Sequence, residues 1–152
     1  MGSEPFIATL QEWIEVSIRS SMRHLIRYAR ENGLSMSHLG ALFHINHIGS
    51  CGVTDLGDHL GVTSAAASQM LDRLVQQELI LRNEDPNDRR VKQIILTRKG
   101  HQILEKGIHA RQGWLDDLAQ TLSDSEKETV MEGMEILINK VNQLDQSMDP
   151  KR

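Results

Sequence analysis

One cysteine, at position 51, stands in a chain of 152 residues, so no disulfide can close within it, and a reducing compartment is expected. No apolar run is long enough to span a bilayer, and no signal-peptide pattern is present. Both absences argue against a membrane protein and for the cytoplasm. Phosphate-cradling glycine loops, nucleophile motifs and ligand sets for a catalytic metal are also missing, so the sequence gives no support for an enzyme and calls for no cofactor. Internal repeats and low-complexity segments are lacking as well. At 25% charged and 39% hydrophobic residues, the composition fits a globular chain of one compact unit.

What is there centres on Val53–Gly100. Thr54 is a good helix N-cap, and Leu56 and Leu60, four apart, share one face. Gly57 lets a second helix approach closely. Gly61 can take the left-handed conformation that ends a helix, Val62 is placed to plug the turn, and Thr63 caps the next helix. That helix spaces Ala67, Met70, Leu71 and Leu74 at threes and fours, which predicts a buried face. Its other face carries Ser64, Ala65, Ser68, Gln69, Asp72 and Arg73. Two short helices joined by a tight glycine-containing turn form a helix-turn-helix. Small side chains at Ala65 and Ala66 suit a deep seat in a major groove. Ser68 can bond several base edges, and Gln69 can make a two-pronged contact to adenine.

Downstream, Leu79–Arg82 and Val91–Leu96 flank a polar turn, Asp85-Pro-Asn-Asp88, with strong turn chemistry. Two strands and a tip make a wing. The tip carries Arg89 and Arg90, with Lys92 just behind, and an arginine on a narrow ridge fits the negative potential of a minor groove. Asp88, two residues before Arg90, suits a carboxylate that pairs with an arginine and holds the tip rigid.

The runs Asp55–Thr63, Met70–Val75, Asp85-Pro-Asn-Asp-Arg-Arg90 and Leu96-Thr-Arg-Lys-Gly100 resemble the MarR family of winged helix-turn-helix transcription regulators. The wing followed closely by Leu-Thr-x-x-Gly is the most specific part, and the resemblance covers the whole length. It implies a homodimer in which each subunit places one recognition helix in the major groove of double-stranded DNA. It also implies Arg90 in the minor groove with Asp88 bracing it, and a small-molecule effector held in a crevice near Trp13, Phe43 and Trp114. Glu78 departs from the family, which usually has glycine after the recognition helix. A left-handed glutamate there would be strained.

The flanks fit that scheme. Pro5 opens a long amphipathic helix through Phe6, Ile7, Leu10, Trp13, Ile14, Ile18, Met22, Leu25, Ile26 and Ala29, which stops at Asn32-Gly33. Arg19, Arg23, Arg27 and Arg30 line one side of it, most simply as a solvated face in ion pairs with acidic neighbours. Ser35 or Ser37 caps a second helix carrying Leu39, Leu42, Phe43 and Ile45, which ends near Gly49, and Ser50–Val53 reads as a short third strand beside the wing. After the wing, Thr97 caps one long helix through Ile103, Leu104, Ile108, Trp114, Leu115, Leu118 and Leu122. Ser123-Asp-Ser-Glu126 is a capping box. It starts a last helix with Val130, Met134, Leu137, Val141, Leu144 and Met148 on a heptad-like seam. The expected fold is therefore mainly α with a small β-wing. Residues 35–100 form the winged DNA-binding region, and residues 5–31 and 101–147 are dimerisation helices, all within a single unit spanning 1–152. Two-fold pairing would set two recognition helices ~34–36 Å apart on a near-palindromic site.

The formal net charge of −4 is unpromising for a DNA binder, but its distribution matters more. From Thr63 to Lys99 seven basic residues face five acidic ones, whereas from His101 to Asp149 four basic residues face ten acidic ones. The modest positive balance of the reading region keeps a second class open, a winged helix used for protein contacts. Two other modes of regulation by the same fold are conceivable. His44 and His47 on one helix, with His101 and His109 on another, would suit a metal sensor if they converged. Cys51 would suit a redox sensor, although a lone cysteine in an apolar-flanked strand is more often inert packing.

Overall fold

The computed structural model describes residues 3–84 and 92–148, with only the backbone described at Glu84, Lys92 and Met148. The described elements are α1 (Ser3–Glu31), α2 (Met36–Ile48), α3 (Val53–Leu60), α4 (Ser64–Gln76), β1 (Ile80–Glu84), β2 (Lys92–Leu96), α5 (Arg98–Gln112), α6 (Trp114–Thr121) and α7 (Asp124–Met148). The expected mainly helical chain with a small antiparallel wing is the observed one. None of the described helices is long and apolar enough to cross a membrane.

Helix ends are set by local chemistry. After α1 the backbone turns left-handed at Gly33 (φ 67°), and Leu34 N–H returns to the Ala29 carbonyl at 2.8 Å. Ser35, rather than Ser37, caps α2: its hydroxyl accepts from His38 N–H at 3.2 Å, while His38 Nδ1 accepts from Ser35 N–H at 3.0 Å. An imidazole thus fills the place that Glu or Gln takes in the usual capping box. Thr54 is not the cap of α3. Gly52 is, and the Asp55 carboxylate one turn in accepts from Gly52 N–H at 3.2 Å. The back-bond from Asp55 satisfies an end donor without help from Thr54. Gly61 is left-handed as expected (φ 64°), and Val62 N–H bonds the Gly57 carbonyl at 3.0 Å. Val62 does not plug the turn; it stays 37% exposed, because this hydrogen bond fixes the turn through the backbone.

β1 and β2 pair antiparallel from Ile80↔Leu96 to Glu84↔Lys92. The expected third strand is reduced to one bridge, Cys51 to Ile94, with hydrogen bonds of 3.3 and 2.9 Å. Leu39, Leu42 and Ile45 from α2, Leu56, Leu71 and Leu74 from the helix pair, and Ile80 and Ile94 from the strands are buried together. Leu25 and Ala29 of α1 and Leu104 of α5 close this core from outside. Tyr28 Oη–H fastens α1 to α5 by donating to the Ile103 carbonyl at 2.9 Å.

The helix that Thr97 starts is not continuous to Leu122. It stops at Gln112, and Gly113 N–H bonds Ala110 three residues back, at 3.3 Å, instead of continuing the four-residue step. Glycine is a weak helix former, and the interruption falls on it. The chain divides there into two compact units, Met1–Gly113 and Trp114–Arg152. In the second, the capping box at Ser123 forms as expected: Ser123 N–H and Oγ–H both donate to Glu126 Oε2, at 2.8 and 2.7 Å. Those bonds hold the Glu126 carboxyl below its ordinary range. Of the seam, Met134 and Leu137 are half-buried, while Val130, Val141 and Leu144 are exposed, Leu144 by 61%.

Candidate nucleic-acid interface

Helix α4 is held from one side and open on the other. Ala67, Leu71 and Leu74 are fully buried, so the helix cannot roll without emptying the core. The opposite face presents Ser64, Ala65, Ala66, Gln69, Asp72 and Arg73, all exposed, with Ser68 half-buried at its edge. Thr63 Oγ1 accepts from Ala66 N–H at 3.2 Å and fixes the end of α4 that would enter a groove first. The structure thus brings together every helix residue expected to meet DNA. Lys92 opens β2, but its side chain, like Asp88, Arg89 and Arg90 at the expected wing tip, lies outside the described residues.

A brace between wing and helix adds a residue absent from the expected site. Arg82 of β1 reaches Asp72 Oδ1 at 2.8 Å and donates to the Ser68 carbonyl at 3.4 Å, both on α4. Strand alternation carries the signal: Arg82 shares a face with buried Ile80 and lies opposite buried Ile94, which directs its side chain to the side where α4 packs.

The far end of α4 explains two other sequence features. Glu78 has φ 59°, the one positive value among the described non-glycine residues. Its N–H bonds Val75 and the next, Leu79 N–H, bonds Leu74, at 2.8 and 2.9 Å. These are the two bonds of a Schellman stop, in a place that favours glycine. Thr97 supports the strained residue by donating its hydroxyl to the Glu78 carbonyl at 2.7 Å, and Lys99 pairs with its carboxylate at 3.4 Å. The same Thr97 oxygen accepts from Gly100 N–H at 2.9 Å. A Cβ at Gly100 would collide with the Leu79 carbonyl, so Leu-Thr-x-x-Gly is the sequence of a helix start pressed against the end of α4.

Positive charge at this face is sparse. Arg82 and Lys99 are neutralised by Asp72 and Glu78, while Arg73 and Arg98 are exposed and in no ion pair among the described residues. Arg73 does act on His38: burial first, then this guanidinium, lower the pKa of that buried imidazole.

Trp13 lines a groove of about 260 Å³ with Thr9, Glu12 and Val16, all of α1, and Phe43 packs against the core. Trp114 belongs to the second unit. Among the described residues no three His, Cys, Asp or Glu are placed to hold a metal ion. His44 stacks on His59 with ring centroids 3.6 Å apart, a pairing across α2 and α3 that sequence spacing does not reveal. Burial, then His59 and His47, lower the His44 pKa against an opposing pull from Asp55. Cys51 is buried and free, and burial followed by Asp55 raises its thiol pKa, the opposite of what a reactive thiolate needs.

Residues 34–92 match the family model described as MarR family. The chain is 28% identical over 114 residues to the HTH-type transcriptional regulator MhqR of Bacillus subtilis, covering 75% of this chain and 79% of that protein. The crystal structure of the transcriptional regulator Tm0710 from Thermotoga maritima is similar with a TM-score of 0.74 at 22% identity, over 94% of this chain and 98% of that one. A mutant MepR of S. aureus bound to an oligodeoxyribonucleotide is similar with a TM-score of 0.65 at 20% identity, over 89% and 97% of the two chains.

Proposed function

This chain belongs, through its winged helix-turn-helix region, to the MarR family of DNA-binding transcription regulators, and from that premise we propose that it is a homodimeric, ligand-responsive repressor acting in the cytoplasm. It binds a near-palindromic promoter site and silences transcription by occluding it. The observation that carries the reading is the open face of α4: small Ala65 and Ala66 beside Gln69, on a helix anchored by buried Leu71 and Leu74 and braced by Arg82. Such a face can enter a major groove and present one amide to a base edge. The MepR relative bound to an oligodeoxyribonucleotide gives the fold a precedent for that use.

Pairing of two copies is supported by apolar surface that the described residues leave open. Ile7, Ile14 and Ile18 recur on one side of α1, and Val141 and Leu144 lie exposed on α7. Residues 5–31 and 101–147 are the dimerisation helices in this reading. A small-molecule effector would act by favouring a dimer whose recognition helices are wrongly spaced. Arg90 of the wing serves the minor groove, with Asp88 bracing it and Arg89 and Lys92 on phosphates.

The test is a fluorescence anisotropy titration at one stated salt concentration. Labelled duplex from the intergenic DNA beside the chain's own gene is compared with random duplex of equal length. A specific site is expected to bind tighter by ~10³ or more. Gln69→Ala is expected to relax preference at one base position by roughly 1–3 kcal/mol. Equal weak binding to the adjacent DNA, to random duplex and to every sequence in a genome-wide selection would refute sequence-specific reading and favour a protein-docking winged helix.

A further inference from the structure

The four arginines of α1 do not form the ion pairs that a solvated basic face invites. The ion pairs among the described residues are Arg82–Asp72, Lys99–Glu78 and Lys127–Asp124, and none involves Arg19, Arg23, Arg27 or Arg30. All four are exposed, and Arg23, Arg27 and Arg30 line a groove of about 370 Å³ with Ile26 and Glu31. Their steps of four, four and three residues keep them on one side of the helix over about 16 Å. Unpaired guanidinium groups in such a row raise a local positive field and call for an anionic partner of matching pitch.

That partner is written elsewhere in the same sequence. Asp124, Glu128, Glu132 and Glu135 of α7 also step four, four and three, and all are exposed. α7 carries six carboxylates against two lysines, while the last thirteen residues of α1 carry the four arginines against Glu31 alone. Only Asp124 of the acidic row has an ion pair among the described residues, with Lys127 at 3.4 Å. Two α-helices bearing rows of identical spacing and opposite sign can face each other with a carboxylate for every guanidinium.

We propose that the arginine row of α1 docks on the acidic row of α7 of a second copy of this chain. The inference rests on the homodimer reading and deepens it, by naming the charged rows that set register and partner choice between copies. Two-fold symmetry makes the contact twice, since each copy offers one row of each sign. Exposed ion pairs contribute little each, so the rows act mainly by rejecting misaligned or foreign partners, where like charges would meet.

The experiment is a charge exchange read by analytical ultracentrifugation at low and high salt. One variant carries Arg23→Glu and Arg27→Glu, and the other carries Glu128→Arg and Glu132→Arg. Each alone is expected to dimerise at least about tenfold more weakly than the parent, because like charges then face each other. Mixing the two is expected to restore a heterodimer of near-parental affinity, which also shows that both variants fold. A parent that is monomeric throughout would refute the homodimer reading itself. A dimeric parent whose variants dimerise unchanged would overturn this proposal alone. Overturning it too would be weakened variants that no mixture rescues, or variants that dimerise normally but lose affinity for random duplex, which would assign the row to nucleic acid.

Discussion

The winged region and the last helix use their apolar residues in opposite ways. Between Leu34 and Leu104, Leu39, Leu42 and Ile45 of α2, Leu71 and Leu74 of α4, and Ile80 and Ile94 of the strands are buried against one another, several of them completely. In α7, across 25 residues, no described side chain is buried, and Ile136, Ile138 and Leu144 are each about 60% exposed. Apolar residues recur at helical spacing in both regions, so spacing does not separate them. Closure does: the first region supplies both faces of its core, and α7 leaves its apolar face open among the described residues, the face that the proposed second copy would cover. A reading domain can fold within one chain, but reading two half-sites at a set distance cannot, and the unfinished surface is where that distance would be fixed.

The sharpest way to break the closed half is Gly100→Ala. A methyl group there meets the Leu79 carbonyl, which the Thr97 bonds hold in place, so unfolding in urea is expected at a stability lower by about 3 kcal/mol or more. A parental midpoint would mean that the start of α5 is not pressed onto the end of α4. The open half should break differently. Val141→Asp with Leu144→Asp is expected to leave helix content and the winged region intact while shifting the chain toward monomer by about 2–3 kcal/mol. Light scattering checks it, and an unchanged dimer would place the interface elsewhere.

Two smaller effects sharpen the picture of the closed half. Glu78→Gly relieves a left-handed glutamate and should stabilise the fold by roughly 1 kcal/mol, slightly offset by loss of the exposed Lys99 pair. Loss of stability in that variant would show that the Glu78 side chain contributes more than its strain costs. Acidification should act through His38 and His44, whose folded pKa values are both lowered, chiefly by burial. The unfolded chain then binds protons that the folded chain refuses. This contribution is complete above about pH 6.5 and is lost as pH falls through the depressed folded values. Thermal melts between pH 7.5 and 5 should therefore move down. His38→Asn, which keeps an acceptor for Ser35 N–H without a titrating group, should flatten part of that fall. An identical pH profile in the variant would remove His38 from the account.

How far the residues announce this structure depends on the range of the physics. Spacing of apolar positions and capping residues act within one turn, and they place α1, α2, α4 and the Ser123 start of α7, with Gly61 and Thr63 in their expected roles. Where two local signals compete, the more conspicuous one misleads. Thr54 has the chemistry of a cap, but Gly52 with Asp55 three residues on offers the better bond, and Gly113 is an inconspicuous break in an apolar run. Contacts between distant segments are less legible. Arg82 to Asp72 joins a strand to a helix, and His44 to His59 joins two helices at distances no spacing rule covers. The exposed face of α4 is legible because burial of its other face determines it. The Trp13, Phe43 and Trp114 crevice rests on the family resemblance, because aromatic residues alone do not say which element they pack on.

In the proposed dimer, two copies read DNA together at a fixed separation. The most direct measurement is the affinity for a selected two-fold site whose half-sites are moved apart by about five base pairs, half a helical turn. Affinity is expected to collapse to that of an isolated half-site, because the second recognition helix then faces the wrong side of the duplex. Undiminished affinity would show that the two winged regions bind independently, contradicting a dimer that sets their spacing.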